Sequence, residues 1–431
     1  MQTWTEPAKQ LPVSAKTEIL VAGSGPAGIG AALRAARMGH SVILVEAQGQ
    51  VGGIATVGMM SHFVGWSSSL ILQELYEKGL HAYPEYGDAP REREPHMIHH
   101  ERLKTVLWDL LTQAGVHVLL YTFVCGVVKE NDRVRGVIIE NKTGRSVILA
   151  DRIIDATGDG DVAEKAGVPF TLGRETDGKM QPCTMMFSIG GVDTAHAVFP
   201  GSFESKVQTE AGELQQLAKE TLPHPAGHLL VYRSTIPGVV ICNMTNAIGI
   251  DGTKAEDLTR ATHLCTTQLA PILAFLHRYV PGYENAYLLG SASLLGIRET
   301  RHFAGRASLS ADDILNAKLF DDWVVKQAYF NFDVHNLTGA SLDKTGVQAH
   351  FSQTASYSIP YGCLLPEKVE NLLLSGRNIS GSHLAHSNFR VMPICMAIGE
   401  AAGAAAALSL THNCPLSSVP VAEIQTAVSK T

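Results

Sequence analysis

The sequence predicts an α/β protein carrying an inserted α+β segment, and three observations support that expectation. Residues 19–48, "ILVAGSGPAGIGAALRAARMGHSVILVEAQ", run from an apolar stretch through a glycine-rich turn and an alanine-rich stretch to a second apolar run. Residues 168–360 then lose regular periodicity and become rich in Thr, Pro and His. A regular α/β pattern returns with "ENLLLSGRNIS" and the alanine-rich stretch after Pro393. The predicted division is 1–167 and 361–431 as two parts of one domain, with 168–360 between them.

The opening run reads as strand, tight turn, helix, strand. Gly23 allows the sharp turn, Gly25 lets backbone approach a pyrophosphate, and Gly28 lets helix and strand pack closely. A diphosphate then meets the N–H groups of a helix N-terminus. Glu46 ends the second strand, 18 residues after Gly28 (46 − 28). That spacing suits a carboxylate accepting hydrogen bonds from a ribose 2′-OH. Strand, helix, glycines and acid agree on a dinucleotide.

Further along, residues 70–82 and 101–115 have helical spacing, with Gly115 as a stop signal. "VHVLLYT" reads as a buried parallel strand. "FVCGVVKE", "RVRGVIIEN" and "SVILADRIIDATGDGD" predict a β-meander that rejoins the main sheet over 153–157. Residues 83–96, charged and punctuated by proline, read as a surface excursion. Helical pieces are expected near 208–221, 255–280 and 311–327.

Composition excludes several classes. Hydrophobic residues make up 45% and charged residues 17% of 431, which describes a packed globular chain. With 34 Lys and Arg against 41 Asp and Glu the net charge is −7, and no basic block disturbs it, so nucleic acid is not an expected partner. The seven cysteines are scattered and form no CxxC, which fits reduced thiols in a cytoplasm and no iron–sulfur site. The first 18 residues have no apolar core of a signal peptide. Residues 392–410 are apolar enough to raise a membrane question, but Glu400 would be costly at a bilayer centre, so a buried helix is expected. His99-His100 is too sparse for a metal, and no metal site is expected.

Four separated segments, "VAGSGPAGIGAA", "GGIATVG", "IIDATGDGDVAEKAG" and "LLLSGRNISGSHLAHSNFRVMPICMAIGEAAGAAAAL", closely resemble the FAD-dependent oxidoreductase family with a glutathione-reductase-type FAD domain. The resemblance implies FAD as cofactor, bound by a Rossmann domain with a β-meander. Gly23, Gly25, Pro26, Ala27 and Gly28 would form the first cradle. Glu46 and Ala47 would meet the adenosine ribose, and Gly52, Gly53 and Thr56 the pyrophosphate and flavin half. Val124 would face the adenine, and Ala156, Thr157 and Gly158 would close over the adenosine side. Gly376 and Arg377 would pass the ribityl chain. Gly399 and Ala402 lie on the helix after Pro393, whose N-terminus would point at the flavin. A helix N-terminus there favours the negative charge of reduced flavin.

Candidates for proton transfer and substrate anchoring are the side chains that precede this helix. His383 and His386 could accept a hydroxyl proton, and Arg390 could hold a carboxylate or oxyanion. The competing assignment pairs Arg390 with an acid and makes the histidines structural. Arg298, in "GIRETRHFAG" with Glu299, Arg301 and His302, is a second anion-binding candidate, and His62 a further one. A single nucleotide-binding unit favours a dehydrogenase or oxidase reduced by its own small-molecule substrate. A monooxygenase or reductase driven by NAD(P)H is the alternative, and an electron-carrying flavoprotein a third. The electron acceptor stays open, and a homodimer is the default assembly.

Overall fold

The computed structural model describes residues 2–80, 96–345 and 350–429. Almost all of the charged excursion expected over 83–96 lies outside them. The main sheet uses β1 (Val13–Ala22), β2 (Val42–Val45), β3 (His117–Leu119), β4 (Phe123–Glu130), β5 (Arg133–Asn141) and β6 (Gly144–Asp155). Their spatial order is β3-β2-β1-β6-β5-β4, and the strand Leu372–Leu374 adds to β6. β6 does two jobs along its length. Its first half pairs antiparallel with β5 as the end of a meander, and its second half runs parallel to β1 and to Leu372–Leu374. The sheet thus gathers the ends of β1 and β6 and the strand from the far end of the chain, so that the segments at 22–28, 155–161 and 375–378 converge.

Helix α1 (Pro26–Arg37) follows β1 after the glycine turn, with Pro26 in its first turn, where a missing N–H costs nothing. It packs on the helix Met392–Thr411 by backbone contact. A Cβ on Gly399 would lie 1.9 Å from the Ala27 carbonyl oxygen, and one on Gly403 would lie 2.4 Å from that of Ala31. Small residues therefore let the two helices touch. Helix Met392–Thr411 is long and apolar enough to cross a membrane, yet 83% of its most apolar window is buried inside the protein.

Glu400 shows how a carboxylate is tolerated there. It accepts from Ser69 Oγ and the Ile71 N–H and pairs with Arg34 at 3.1 Å, while burial raises its pKa. Arg34→Met would leave this carboxylate without its cation. The variant is expected to lose roughly 3 kcal/mol of stability. Chemical denaturation measures this directly, and an unchanged midpoint would show that the hydrogen bonds from Ser69 and Ile71 suffice.

A second hydrophobic core is drawn from residues between Cys183 and Ala292. It lies under an antiparallel sheet of Phe187–Gly190, Val231–Arg233, Val240–Cys242 and Tyr287–Ser291, against the helix Ala255–Tyr279.

Several local expectations need correction. "VHVLLYT" contributes only the three-residue edge strand β3, partly exposed because it has β2 on one side alone. The helix expected over 208–221 is a short two-stranded ribbon at 208–213 followed by Leu214–Thr221, since Gly212 at φ 129° breaks the helical run. The helix expected over 311–327 ends at Leu315, where Ala317 adopts φ 47°, and Trp323–Ala328 is a strand paired with Tyr357–Pro360. Its apolar residues Val324, Val325 and Ala328 are buried along a strand rather than in a helical stripe.

Candidate active site

The glycine turn after β1 is shaped for close backbone approach. Gly23 has φ 91°, and a Cβ there would lie 2.4 Å from the Ala156 carbonyl oxygen. On Gly28 a Cβ would lie 1.8 Å from the Gly23 carbonyl oxygen. Gly25 differs from both, because the position of its missing Cβ meets no protein atom within 4 Å. Gly25 also N-caps α1 without any side-chain hydrogen bond to the first turn. The result is open space against the N–H groups of a helix N-terminus.

The flanking segments close around that space. Gly52 and Gly53 both have positive φ, and Gly53 sits close enough to Gly25 that a Cβ on it would be 2.9 Å from the Gly25 Cα. Thr56 turns inward, its hydroxyl donating to the Val51 carbonyl at 2.6 Å. Its role in the structure is to fasten the Gly52–Gly53 turn. Glu46 accepts from the Ser24 N–H and hydroxyl at 2.8 and 2.6 Å and from the Gln48 N–H at 2.8 Å. These bonds tie the end of β2 to the glycine turn, with Ala47 half-buried beside them. Val124 is half-buried on β4, opposite Ile139 of β5.

At the end of β6, Asp155 is fully buried and receives Thr157 N–H, Thr157 Oγ and Ala163 N–H. Burial still dominates and raises its pKa to about 6. Ala156, Thr157 and Gly158 thereby form a fixed turn. Arg377 donates to Asp159 at 2.7 Å with its guanidinium over Gly158, and Thr300 and Arg301 reach the same aspartate. Gly376, at φ 88°, packs on Ala27. Gly399 and Ala402 are buried in the helix pair, where Gly399 is required by the Ala27 carbonyl.

The remaining candidates fall into two clusters. In the first, Glu299 Oε1 accepts from His383 Nδ1 at 2.5 Å and from His302 Nε2 at 2.8 Å, and Oε2 accepts from the Gln181 N–H. These contacts hold the Glu299 carboxyl well below the usual range despite burial. An ionised carboxylate only accepts, so both imidazoles donate to it, His383 through Nδ1 and His302 through Nε2. His386 stands edge-on to His302 at 5.0 Å between ring centroids, and burial keeps its pKa far below normal. The ligand atoms of Glu299, His302 and His383 lie within 4.8 Å of one another, a spacing that a metal ion also uses.

In the second cluster, Arg390 donates to the Asp333 carboxylate at 2.7 Å and to its carbonyl at 2.9 Å, and His335 Nε2 lies 3.3 Å from the same carboxylate. Asp333 is thereby kept strongly ionised. Arg298 donates to the Pro182 carbonyl at 2.5 Å and to Thr184 Oγ at 2.9 Å. Burial and the Arg390 charge lower its pKa to about 10. His62 packs edge-on to Tyr232 at 4.8 Å, and burial lowers its pKa to about 4 while raising that of Tyr232 to about 12. His228 and His335 flank the ring of Phe203, and burial lowers their pKa values to about 3 and about 4.

Thus Arg298 and Arg390 gather around Asp333, with His62 against Tyr232 beside them, and His383 and His386 lie in the neighbouring cluster. Sequence reasoning missed Asp333, His335, His228, Tyr232 and Asn243. Each lies in an irregular or very short segment, where periodicity and motif spacing carry no signal.

The profile of the FAD dependent oxidoreductase family matches residues 18–428. The chain belongs to that family. It is a flavin-dependent redox enzyme, and FAD is its cofactor. The residues fit the group, since Gly25 leaves open space at an uncapped helix start where a dinucleotide needs backbone contact. None of the curated proteins matches the sequence. Among solved structures, the flavin-dependent brominase Bmp2 is similar at 11% identity over 96% of this chain and 84% of that one, with a TM-score of 0.51. A geranylgeranyl bacteriochlorophyll reductase-like protein of Thermoplasma acidophilum is similar at 14% identity over 96% of this chain and 82% of that one, with a TM-score of 0.48. At 11% identity the likeness to the brominase is one of fold.

Proposed function

We propose that this member of the family carries out its redox chemistry on a small organic molecule held in the cleft of Arg298, Asp333 and Arg390. The observation that carries this reading is a set of charged and polar side chains gathered in the interior yet not fully buried, with Arg298, Asp333, Arg390, Tyr232 and His62 all partly exposed. Enclosed charges of this kind are costly unless a ligand uses them. Bound FAD supplies acceptance or donation of a hydride equivalent. The chain supplies orientation through the two guanidiniums and a proton acceptor through His383 Nε2 or His302 Nδ1, whose other nitrogens Glu299 holds.

Two readings differ in the reductant. A monooxygenase or reductase driven by NAD(P)H draws its support from the fold shared with a flavin-dependent brominase over 96% of the chain. A dehydrogenase or oxidase reduced by its own substrate draws on the carboxylate-fixed imidazoles, the arrangement that removal of a hydroxyl proton needs. The seven cysteines, none of them bridged, support placement in a reducing cytoplasm.

Anaerobic absorbance of the purified holoenzyme separates the readings. NADH or NADPH bleaching the flavin band is expected under the first, and bleaching by a member of a panel of organic acids, sugars and amines under the second. Protein that takes up no FAD on reconstitution would overturn both.

A further inference from the structure

We infer that the cleft takes a small hydroxylated carboxylate, its anionic end at Arg298 and Arg390 and its hydroxyl groups at His228 and Asn243. The inference rests on the reading of this cleft as the substrate site and names the substrate class.

Charge comes first. Arg298 and Arg390 bring two positive charges and Asp333 one negative charge, and Asp333 is bound to Arg390. Among the described residues, Arg298 has the neutral Pro182 carbonyl and Thr184 hydroxyl as its hydrogen-bond acceptors. Glu299, its neighbour in the chain, points to His302 and His383 instead. His62, His228 and His335 are neutral near pH 7, because burial holds each of them to about 4 or below. Tyr232 is neutral as well. Asp333 thus answers Arg390, whereas the buried Arg298 guanidinium bonds only neutral acceptors among the described residues, and a ligand carboxylate would give it an anionic partner.

Unpartnered polar atoms then give the ligand its shape. Among the described residues, Arg390 Nε, Gln181 Nε2, His228 Nδ1 and Asn243 Oδ1 are buried without a hydrogen-bond partner. A chain of contacts joins them. Gln181 Oε1 accepts the His335 N–H, His335 meets Asp333 and hence Arg390, and the Phe203 ring links His335 to His228. His228 Nε2 in turn bonds the Asn243 carbonyl at 2.8 Å.

Their polarity sorts into two ends. Arg390 Nε and Gln181 Nε2 are donors, which with Arg298 suits a carboxylate. Because His228 Nε2 must donate to a carbonyl, His228 Nδ1 is a lone-pair acceptor, as is Asn243 Oδ1. Two buried acceptors on bonded residues call for hydroxyl donors on the ligand. A plain fatty acid would leave them unpaired, and a neutral polyol would leave Arg298 without an anionic partner.

The test uses FAD-loaded protein under anaerobic conditions and reads ligand affinity from the flavin difference spectrum. The probes are lactate and gluconate, each compared with its deoxy acid (propionate, hexanoate) and its amide (lactamide, gluconamide). At least one hydroxy acid is expected to bind ten times more tightly than both of its analogues. Arg298→Gln and Arg390→Gln should each abolish the preference for acid over amide. Asn243→Ala should keep that preference and lose the one for hydroxy over deoxy acid. Asp333→Asn, which leaves a second positive charge unmatched, should shift selectivity from lactate toward the dicarboxylate malate.

The inference is overturned if the amides bind as tightly as the acids, or if no acid binds. It is also overturned if Arg298→Gln alters the flavin spectrum with the acid preference intact. Bleaching by NAD(P)H or by a neutral alcohol in that same protein would leave the redox reading standing, so the two failures are distinguishable.

Discussion

Gly28→Ala is expected to strip the protein of its flavin and to lower its melting temperature, whereas Gly25→Ala should remove the flavin alone. A Cβ on Gly28 would sit 1.8 Å from the Gly23 carbonyl oxygen and 2.8 Å from its carbon. Both atoms are backbone, and Gly23 is itself held by the Val45 carbonyl through its N–H. Nothing there can move like the end of a flexible side chain. Overpacking of this kind costs about 1–3 kcal/mol or more, and relieving it would open the turn that the pyrophosphate needs. At Gly25 the added methyl meets no protein atom within 4 Å, so the protein without cofactor should keep its stability. The methyl would then occupy ground that only a bound dinucleotide claims. Flavin absorbance per chain and thermal melting of cofactor-free protein provide both readouts. Gly25→Ala retaining a full complement of flavin would sink the assignment of that space to the pyrophosphate.

The same contrast explains what was legible in the sequence. The cofactor cradle can be read because backbone geometry dictates it. Gly23 needs positive φ and Gly28 needs an absent side chain, and both demands leave glycine at a fixed spacing. Glu46 was found by the same logic at the end of β2, and its bonds to Ser24 show why the acid and the turn form one unit. Thr56 shows the limit, because a position inside a cofactor loop does not say whether a side chain faces the ligand or the loop itself. The Gly399 backbone contact with Ala27 was equally hidden, since a glycine needed by a neighbouring helix looks like one needed by a ligand.

The proposed substrate site was legible only in its arginines. Arg298 and Arg390 stand in segments with a recognisable pattern, but what makes them a site is Asp333, His335 and His228. These reach the cleft from irregular chain, brought there by contacts between residues up to 154 apart in sequence, as between Gln181 and His335. Neither a period of 3.6 nor one of 2 encodes such a meeting. The competing assignment of Arg390 to an acid partner was realised in Asp333. It does not remove Arg390 from the site, because Nε remains without a partner.

Acid should destabilise this protein well before its ordinary carboxylates titrate, with stability falling steadily from about pH 6.5 toward pH 5. The sign follows from the imidazoles. His228 and His335 have native pKa values of about 3 and about 4 against an ordinary 6.5, His386 lies far below normal, and the partly exposed His62 is near 4. Between those values and 6.5 the unfolded chain binds protons that the native chain refuses, so stability drops as pH falls. His99 and His100 are lowered by burial and add in the same direction. Asp155 opposes them. Its native pKa of about 6 exceeds its ordinary 3.8, so between these values the native chain holds a proton that the unfolded chain has released. Burial raises the Glu400 and Asp161 carboxyls as well, so three carboxyls oppose the imidazoles, each of which takes up as much as one proton on unfolding, about 1.4 kcal/mol per pH unit. Glu299 and Asp333 are held ionised, and their contribution is lost only below the ordinary carboxylate range. Urea unfolding at intervals between pH 7 and 5 measures the slope. His335→Gln should reduce it by about one proton and Asp155→Asn should steepen it by about one, whatever either does to stability at pH 7. A flat profile over this window would mean that the imidazoles beside Arg298 and Asp333 are solvated and free to charge, and His228 could no longer be taken as a neutral acceptor there.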